Sequence, residues 1–316
     1  MIPIKPMLAV AGRVFSRKEW IFEPKIDGTR CIAHISNGIV ELQNRRSRLI
    51  TTRYPEVIKA LQQAVVGDCV LDGEMAVFSK GVPNFSSLSL REQQVNSLRI
   101  KYLAKAVPAS YIVFDILSKG RESLMNLPLS ERKSILKQEL QENDFVTIID
   151  YLEENGEAYF KAALGIGLEG VMAKRAASPY QPGIRSPGWV KIKKRLTVDL
   201  VVGGYIPGNG ERSPFFGGLL LGAYESGKLI FMGRVGSGFS FEELEEISSK
   251  FKISEESPFS NPPSLRAVTW LKPELVVEVE ALEVSKRRHL RAPVYLRIRI
   301  DKLPVECTID QLPLSP

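Results

Sequence analysis

The sequence predicts an α+β protein of two domains: antiparallel sheets and helices over residues 1–195, then a small β-barrel over residues 196–316. Three observations carry this prediction. The 316 residues amount to about two domains at roughly 100–200 residues each. Up to about residue 195, segments that alternate in hydrophobicity are interleaved with segments whose apolar residues recur at helical spacing. Beyond it the alternating pattern dominates. Glycines gather there at 203–222 and 233–238, where the bends of a small barrel need residues without a side chain.

In chain order, residues 30–36 and 39–43 alternate on either side of Asn37-Gly38, a strong short-range signal for a hairpin. Helices are predicted over 55–64 and 128–140, each opened by a proline whose fixed φ suits a first helical turn, and a shorter one over 157–164. Strands are predicted over 70–78, 111–117, 170–174 and 189–192. In the second domain the strand candidates are 199–205, 218–224, 228–235, 275–284 and 294–300, with a tight turn at Glu225-Ser226-Gly227 and one helix over 241–251. Five strands with one helix predict a Greek-key barrel of the OB type.

Composition excludes several classes of function. No run of about 18 apolar residues could cross a membrane as a helix, and the N-terminal stretch lacks the charged and apolar regions of a signal peptide. Cys31, Cys69 and Cys307 lie too far apart for a disulfide framework or a metal-ligand pair, which fits a reducing, intracellular compartment. The 43 Lys+Arg against 36 Asp+Glu give a net charge of +7, which suits a polyanionic partner. With only His34 and His289 as histidines, acid–base chemistry falls to lysines, arginines and carboxylates.

Five short segments carry candidate chemistry. Glu23-Pro24-Lys25-Ile26-Asp27-Gly28-Thr29-Arg30 places a lysine at a strand end, then a carboxylate, a glycine turn and an arginine. Leu71-Asp72-Gly73-Glu74 sets carboxylates in an apolar strand, and Val113-Phe114-Asp115 sets an aromatic ring beside an acid. Glu169-Gly170-Val171-Met172-Ala173-Lys174 puts an acid just before a strand. Lys191 and Lys193, two apart, share one face of a strand. Like charges so placed repel each other unless an anion lies between them. Each segment alone is an ordinary turn or strand end; the ordered set is not.

In this order the segments resemble the covalent-lysine nucleotidyltransferases: ATP-dependent DNA ligases, RNA ligases and mRNA capping enzymes. The resemblance is closest to the ligase module of ligase D-type end-joining proteins, and runs from Pro6-Met7-Leu8-Ala9 to Arg299-Ile300-Asp301-Lys302. It implies an adenylation domain followed by an OB-fold. Lys25 is implied as the nucleophile that takes AMP from ATP to form covalent lysine–AMP. Glu23 and Ile26 flank it where the chain meets the adenine edge, and Phe114 is implied to stack on the base. Arg30 would contact ribose or the 5′-phosphate of a nick. Glu74 would meet ribose or a metal, and Glu169 would hold Mg²⁺ or Mn²⁺. Lys191 and Lys193 would grip the α-phosphate, while Arg299, Asp301 and Lys302 would orient pyrophosphate as it leaves.

There are departures. Where the family usually shows a Ser-Arg-Asn-Gly-like segment, this chain reads Asn44-Arg45-Arg46-Ser47; Arg45 alone matches, as a nucleotide or DNA contact. Arg291-Ala292-Pro293 replaces a frequent Arg-His-Pro. Arg45, Arg46, Arg48 and Arg53 fall in an acid-free stretch, 42–55, and are expected to face DNA. Lys286-Arg287-Arg288-His289-Leu290-Arg291 is a second candidate for phosphate contact. Phe215-Phe216, in a Gly-rich loop, is expected to be an exposed pair able to pack on the minor groove.

The implied substrate is nicked double-stranded DNA, handled by a monomer in the cytoplasm on the nucleoid. A Ku-type end-binding protein and a repair polymerase are the implied partners. Lys25 lies so near the N-terminus that no helical DNA-encircling domain is expected ahead of it. The competing readings are a capping guanylyltransferase or RNA ligase, and a non-catalytic nucleic-acid binder. Labelling by ATP, by GTP or by neither separates them.

Overall fold

Asn37 and Gly38 adopt positive φ angles of 48° and 75°, the geometry of a two-residue type I′ turn whose twist matches that of the strands it joins. Strands Thr29–Ser36 and Ile39–Asn44 therefore pair with Ser36 opposite Ile39. Cys31, Ala33 and Ile35 then enter one core while Ile32 enters another, so this hairpin is buried on both faces. The computed structural model describes residues 3–265, 267–285 and 288–312. They fall into two units, Met1–Lys193 and Lys194–Pro316.

Besides a short pair of strands, Phe78–Ser79 with Val82–Pro83, the first unit holds two sheets. One has the order Val146–Ile148, Ser110–Lys119, Cys69–Ala76, Thr29–Ser36, Ile39–Asn44; the other has Leu8–Ala11, Arg185–Lys193, Gly170–Arg175, Trp20–Pro24, Leu152–Glu153. The pairs inside both sheets are antiparallel, while Leu8–Ala11 with Arg185–Lys193 and Val146–Ile148 with Ser110–Lys119 are parallel edge pairs. A core that includes Met7, Ile32, Ile112, Phe114 and Trp189 joins the sheets. Helix Pro55–Ala64 buries Val57, Ala60, Leu61 and Ala64 on the first sheet. Helix Gly156–Gly165 covers the second sheet through Ala163, beside Phe22, Val171 and Ala173.

Helices Phe85–Glu92 and Ser97–Ala106 were not expected from the sequence. Asn84 and Asn96 cap them, accepting from Ser87 N and from Leu98 and Arg99 N. The first is anchored less by an apolar stripe than by buried Arg91, whose Nη1 donates to Glu56 Oε1 at 2.6 Å. Such a polar anchor leaves no 3.6-residue hydrophobic period to read.

The second unit is a five-stranded antiparallel sheet of order Lys228–Val235, Phe216–Glu225, Leu196–Pro207, Thr269–Ala281, Val294–Ile298. Register shifts leave Gly203 of the central strand and Met232 of the edge strand as extra residues in the ladders. Among the described residues no ladder closes the sheet; one bond, Tyr295 N to Ser237 O, ties its two edge segments. Helix Phe241–Ser249 begins with a capping box made by Ser240 and Glu243.

The expectation of an exposed Phe215-Phe216 pair is corrected. Phe216 is buried as the first residue of its strand, edge-on to Phe239 at 5.0 Å, and Phe215 packs on the same core. Of the basic run, Lys286 and Arg287 lie outside the described residues. Arg288 pairs with Glu225 and Arg291 with Glu283.

Candidate active site

Strand Trp20–Pro24 pairs with Gly170–Arg175, which in turn pairs with Arg185–Lys193. Gly170 stands opposite Lys193 and accepts a hydrogen bond from Lys25 N at 3.0 Å. Lys25 and Lys193 thus lie on either side of a residue that has no side chain. A Cβ on Gly170 would come within 2.0 Å of Ile192 O. Into this gap comes Glu169, which pairs with Lys25 Nζ at 2.5 Å and also with Lys193 Nζ. Burial would raise the Glu169 carboxyl, but the two lysines hold it below the ordinary carboxylate range.

A cleft of about 620 Å³ adjoins this cluster. Its lining includes Lys25, Ile26, Arg30, Arg45, Arg46, Glu74, Phe85, Phe114, Lys191 and Lys193, together with Glu23, Lys174, Arg185 and Trp189. Lys191 stands two residues before Lys193 on the same face. Burial first, then the charges of Arg185, Lys193, Lys25 and Arg45, push its ammonium down. These five cations therefore surround one region of the cleft, as an anionic ligand would require.

Arg30 and Glu74 face each other across paired strands. The Arg30 guanidinium forks onto buried Asp72, Nε to Oδ1 and Nη2 to Oδ2, both at 2.6 Å. Tyr180 Oη donates to Asp72 Oδ2 at 2.6 Å and accepts from Met7 N at 3.0 Å. Burial works against the Arg30 charge, and Asp72 more than compensates. Among the described residues Glu74 has no such partner: burial pushes its carboxyl up to about 7, with Arg30 and Lys25 opposing.

Glu23 is buried between two ammonium groups, Lys133 Nζ and Lys174 Nζ, each at 2.6 Å. Burial favours the neutral acid, and the two cations override it and lower its pKa. Lys174 also lies 4.1 Å from the Phe114 ring centroid and 4.3 Å from that of Trp189; burial, with Glu23 opposing, brings it down to about 8. The Arg30 guanidinium stands 4.6 Å from the Phe114 centroid.

Lys25, Ile26, Glu23, Arg30, Arg45, Glu74, Phe114, Lys191 and Lys193 thus meet at one cleft of the first unit. Arg48 is exposed near the Arg45–Arg46 turn, whereas Arg53 is half-buried in a short 3-10 helix; neither lines the cleft. Arg299, Asp301 and Lys302 belong to the second unit: Arg299 and Lys302 pair with Asp199, and Asp301 pairs with Arg299. Sequence reasoning missed Asp72, Lys133, Lys174, Arg185 and Asp199 as supporting residues. Asp72 and Lys174 lie inside the segments 71–74 and 169–174, where a charge in an apolar strand was the available signal.

A cationic strand pair beside an acid-bearing cleft, on two packed sheets followed in the chain by an OB-type unit, defines the nucleotidyltransferase class. Residues 6–193 match the family described as ATP dependent DNA ligase domain, and residues 212–302 the one described as ATP dependent DNA ligase C terminal region. The chain belongs to the ATP-dependent DNA ligases.

Similar proteins include the multifunctional non-homologous end joining protein LigD of Mycolicibacterium smegmatis, 36% identical over 95% of this chain and 39% of that protein. DNA ligase C1 of the same organism is 34% identical over 98% of this chain and 94% of that one. The chain thus spans well under half the length of LigD. Among solved structures, the ligase domain of M. tuberculosis LigD is 32% identical, with a TM-score of 0.55 over 96% of this chain and 98% of that one. Mycobacterial DNA ligase D complexed with ATP and MES is 31% identical, with a TM-score of 0.54, over 96% and 98% of the two chains. Among the described residues, no helix is long and apolar enough to cross a membrane.

Proposed function

We propose that this chain closes nicks or broken ends in double-stranded DNA, with residues 1–195 as its adenylation domain and 196–316 as its OB-fold domain. The observation that carries the reading is the meeting of Lys25 and Lys193 on Glu169, beside a cleft ringed by Arg30, Arg45, Arg185 and Lys191. The Lys25 amine attacks the α-phosphorus of ATP. An N–P bond forms, the P–O bond to pyrophosphate breaks, and the amine loses a proton. An oxygen of the DNA 5′-phosphate then attacks that phosphorus and breaks the N–P bond, and Lys25 regains a proton. Finally the 3′-hydroxyl attacks the DNA phosphorus, gives up its proton and expels AMP.

Lys191 and Lys193 hold the α-phosphate, Arg30 the ribose or the 5′-phosphate, and Phe114 the base, with Glu23 and Ile26 at its edge. Arg299 and Lys302 supply cations to the departing pyrophosphate. Among the described residues no three His, Cys, Asp or Glu side chains form a metal cage. The carboxylates near Lys25 nevertheless fit Mg²⁺ or Mn²⁺, which keep several waters and need only one or two protein oxygens. Glu74 is pushed up to about 7, and Asp27 is raised by burial and by Glu169, so these acids crowd one another as they would around a cation. Glu74 and Glu169 would hold the ion, which screens phosphate charge when bound.

The names of the relatives support a place in end joining. There a Ku-type protein would hold the ends and a repair polymerase would prepare them, with this chain a monomer on the nucleoid in the cytoplasm. Radiolabelled ATP and GTP, each with and without a nicked duplex, test the reading. ATP label appears on the wild-type chain and passes to DNA, whereas Lys25→Ala takes up none and still binds DNA. An acid-labile adduct on Lys25→Ala, or labelling by GTP alone, overturns it.

A further inference from the structure

Arg299 and Lys302 stand three residues apart at the end of the strand Val294–Ile298, where two long, flexible cations would ordinarily move independently. They do not. Asp199, on the strand Leu196–Pro207, accepts from Arg299 Nη1 on Oδ1 and from Lys302 Nζ on Oδ2, both at 2.8 Å. The backbone of Asp199 is fixed in turn: its N donates to Gln311 Oε1 at 3.2 Å, and its O accepts from Gln311 Nε2 at 2.8 Å. Arg299 also forks onto Asp301 through Nε and Nη2.

The two aspartates differ. The Asp301 side chain is 59% exposed and touches Arg299, while that of Asp199 is 13% exposed and touches both cations. Each carboxylate oxygen of Asp199 holds one cation, so their separation is set by the width of a carboxyl group.

We propose that Asp199 is a positioning residue of the adenylation step, which holds Arg299 and Lys302 as a paired cation for the leaving pyrophosphate. This rests on the role given to Arg299 and Lys302 above. Freezing an arginine and a lysine, both rich in rotamers, costs side-chain entropy. When a carboxylate has already imposed that order, the cost does not fall on the reaction step. The arrangement is selective in time. Pyrophosphate departs once, when AMP joins the protein, and takes no part in the later transfers to DNA. Asp199 therefore matters to the first step alone.

Asp199→Asn keeps the shape and removes the charge; Asp199→Ser, read in parallel, keeps the proposal testable if the amide does not fold. Two rates are measured on the full chain: self-adenylation at saturating labelled ATP, and sealing of a pre-adenylated nick without ATP. Self-adenylation is expected to fall roughly 10–100-fold, as when a supporting shell is lost. Sealing of the pre-adenylated nick is expected to stay within about twofold, the scatter of an uncoupled site. In an Arg299→Ala background, adding Asp199→Asn should slow adenylation by less than about twofold further, because the two act through one interaction. Equal loss in both steps makes Asp199 structural and overturns the proposal. Unchanged or faster adenylation overturns it too, the faster rate meaning that Asp199 restrains the cations. If Arg299→Ala itself leaves adenylation intact, it is the role of Arg299 that fails.

Discussion

Glu74 and Asp72 are neighbours in one strand with opposite fates. Asp72 is buried but receives a guanidinium fork and a tyrosine hydroxyl, so its charge is compensated. Glu74 lines the cleft, where burial raises its carboxyl to about 7 from an ordinary 4.5. A carboxyl raised by folding binds its proton more tightly in the native state. Its contribution therefore weakens stability as pH climbs from about 4.5 to about 7, by roughly 1–3 kcal/mol for a group facing a wet cleft. Without metal, the wild-type chain should lose melting temperature across that window, and Glu74→Gln should lose less. Parallel curves for the two proteins would place the titration elsewhere.

The turn that follows the hairpin gives a departure from the family pattern its physical meaning. Asn44 Oδ1 accepts from Arg46 N at 2.9 Å and from Arg48 N at 3.0 Å, closing a tight loop that presents Arg45 and Arg46 to the cleft. The loop needs a left-handed residue at Ser47, φ 59°, a conformation that glycine adopts most readily. A non-glycine residue there costs roughly 1–2 kcal/mol, partly offset because glycine is freer when unfolded. Ser47→Gly should therefore stabilise the protein by up to about 1 kcal/mol, seen as a melting temperature a few degrees higher. A lower melting temperature would mean that the serine side chain holds the loop.

At the scale of the whole molecule, the net charge of +7 is not spread evenly. Arg45, Arg46 and Arg48 are exposed on one turn, next to the cleft where Arg185, Lys191 and Lys193 converge. Binding to a nicked duplex should weaken linearly in log–log salt titrations, by about 0.9 per neutralised phosphate. Arg46→Ala should lower that slope by about one contact while leaving sequence preference unchanged. A slope near zero in the wild-type chain, or one unaltered in the variant, would remove this turn from the DNA interface.

Much of this protein is written locally. The Asn37-Gly38 hairpin, the proline-led helix at 55–64 and the strand that sets Lys191 beside Lys193 all follow from turn chemistry and period-two spacing, which act between near neighbours. The five-stranded second unit is legible for the same reason. What the sequence could not show is how charge is managed. Arg30 meets Asp72 from 42 residues away, Tyr180 reaches the same carboxylate from 108, and Lys302 meets Asp199 from 103. Glu23 is kept ionised by lysines from a helix and from a neighbouring strand. Even the helix Phe85–Glu92 is anchored in part by one buried arginine, Arg91. Buried ions are compensated by whatever opposite charge the fold brings within about 3 Å. That proximity has no period along the chain, so only the tertiary structure decides it.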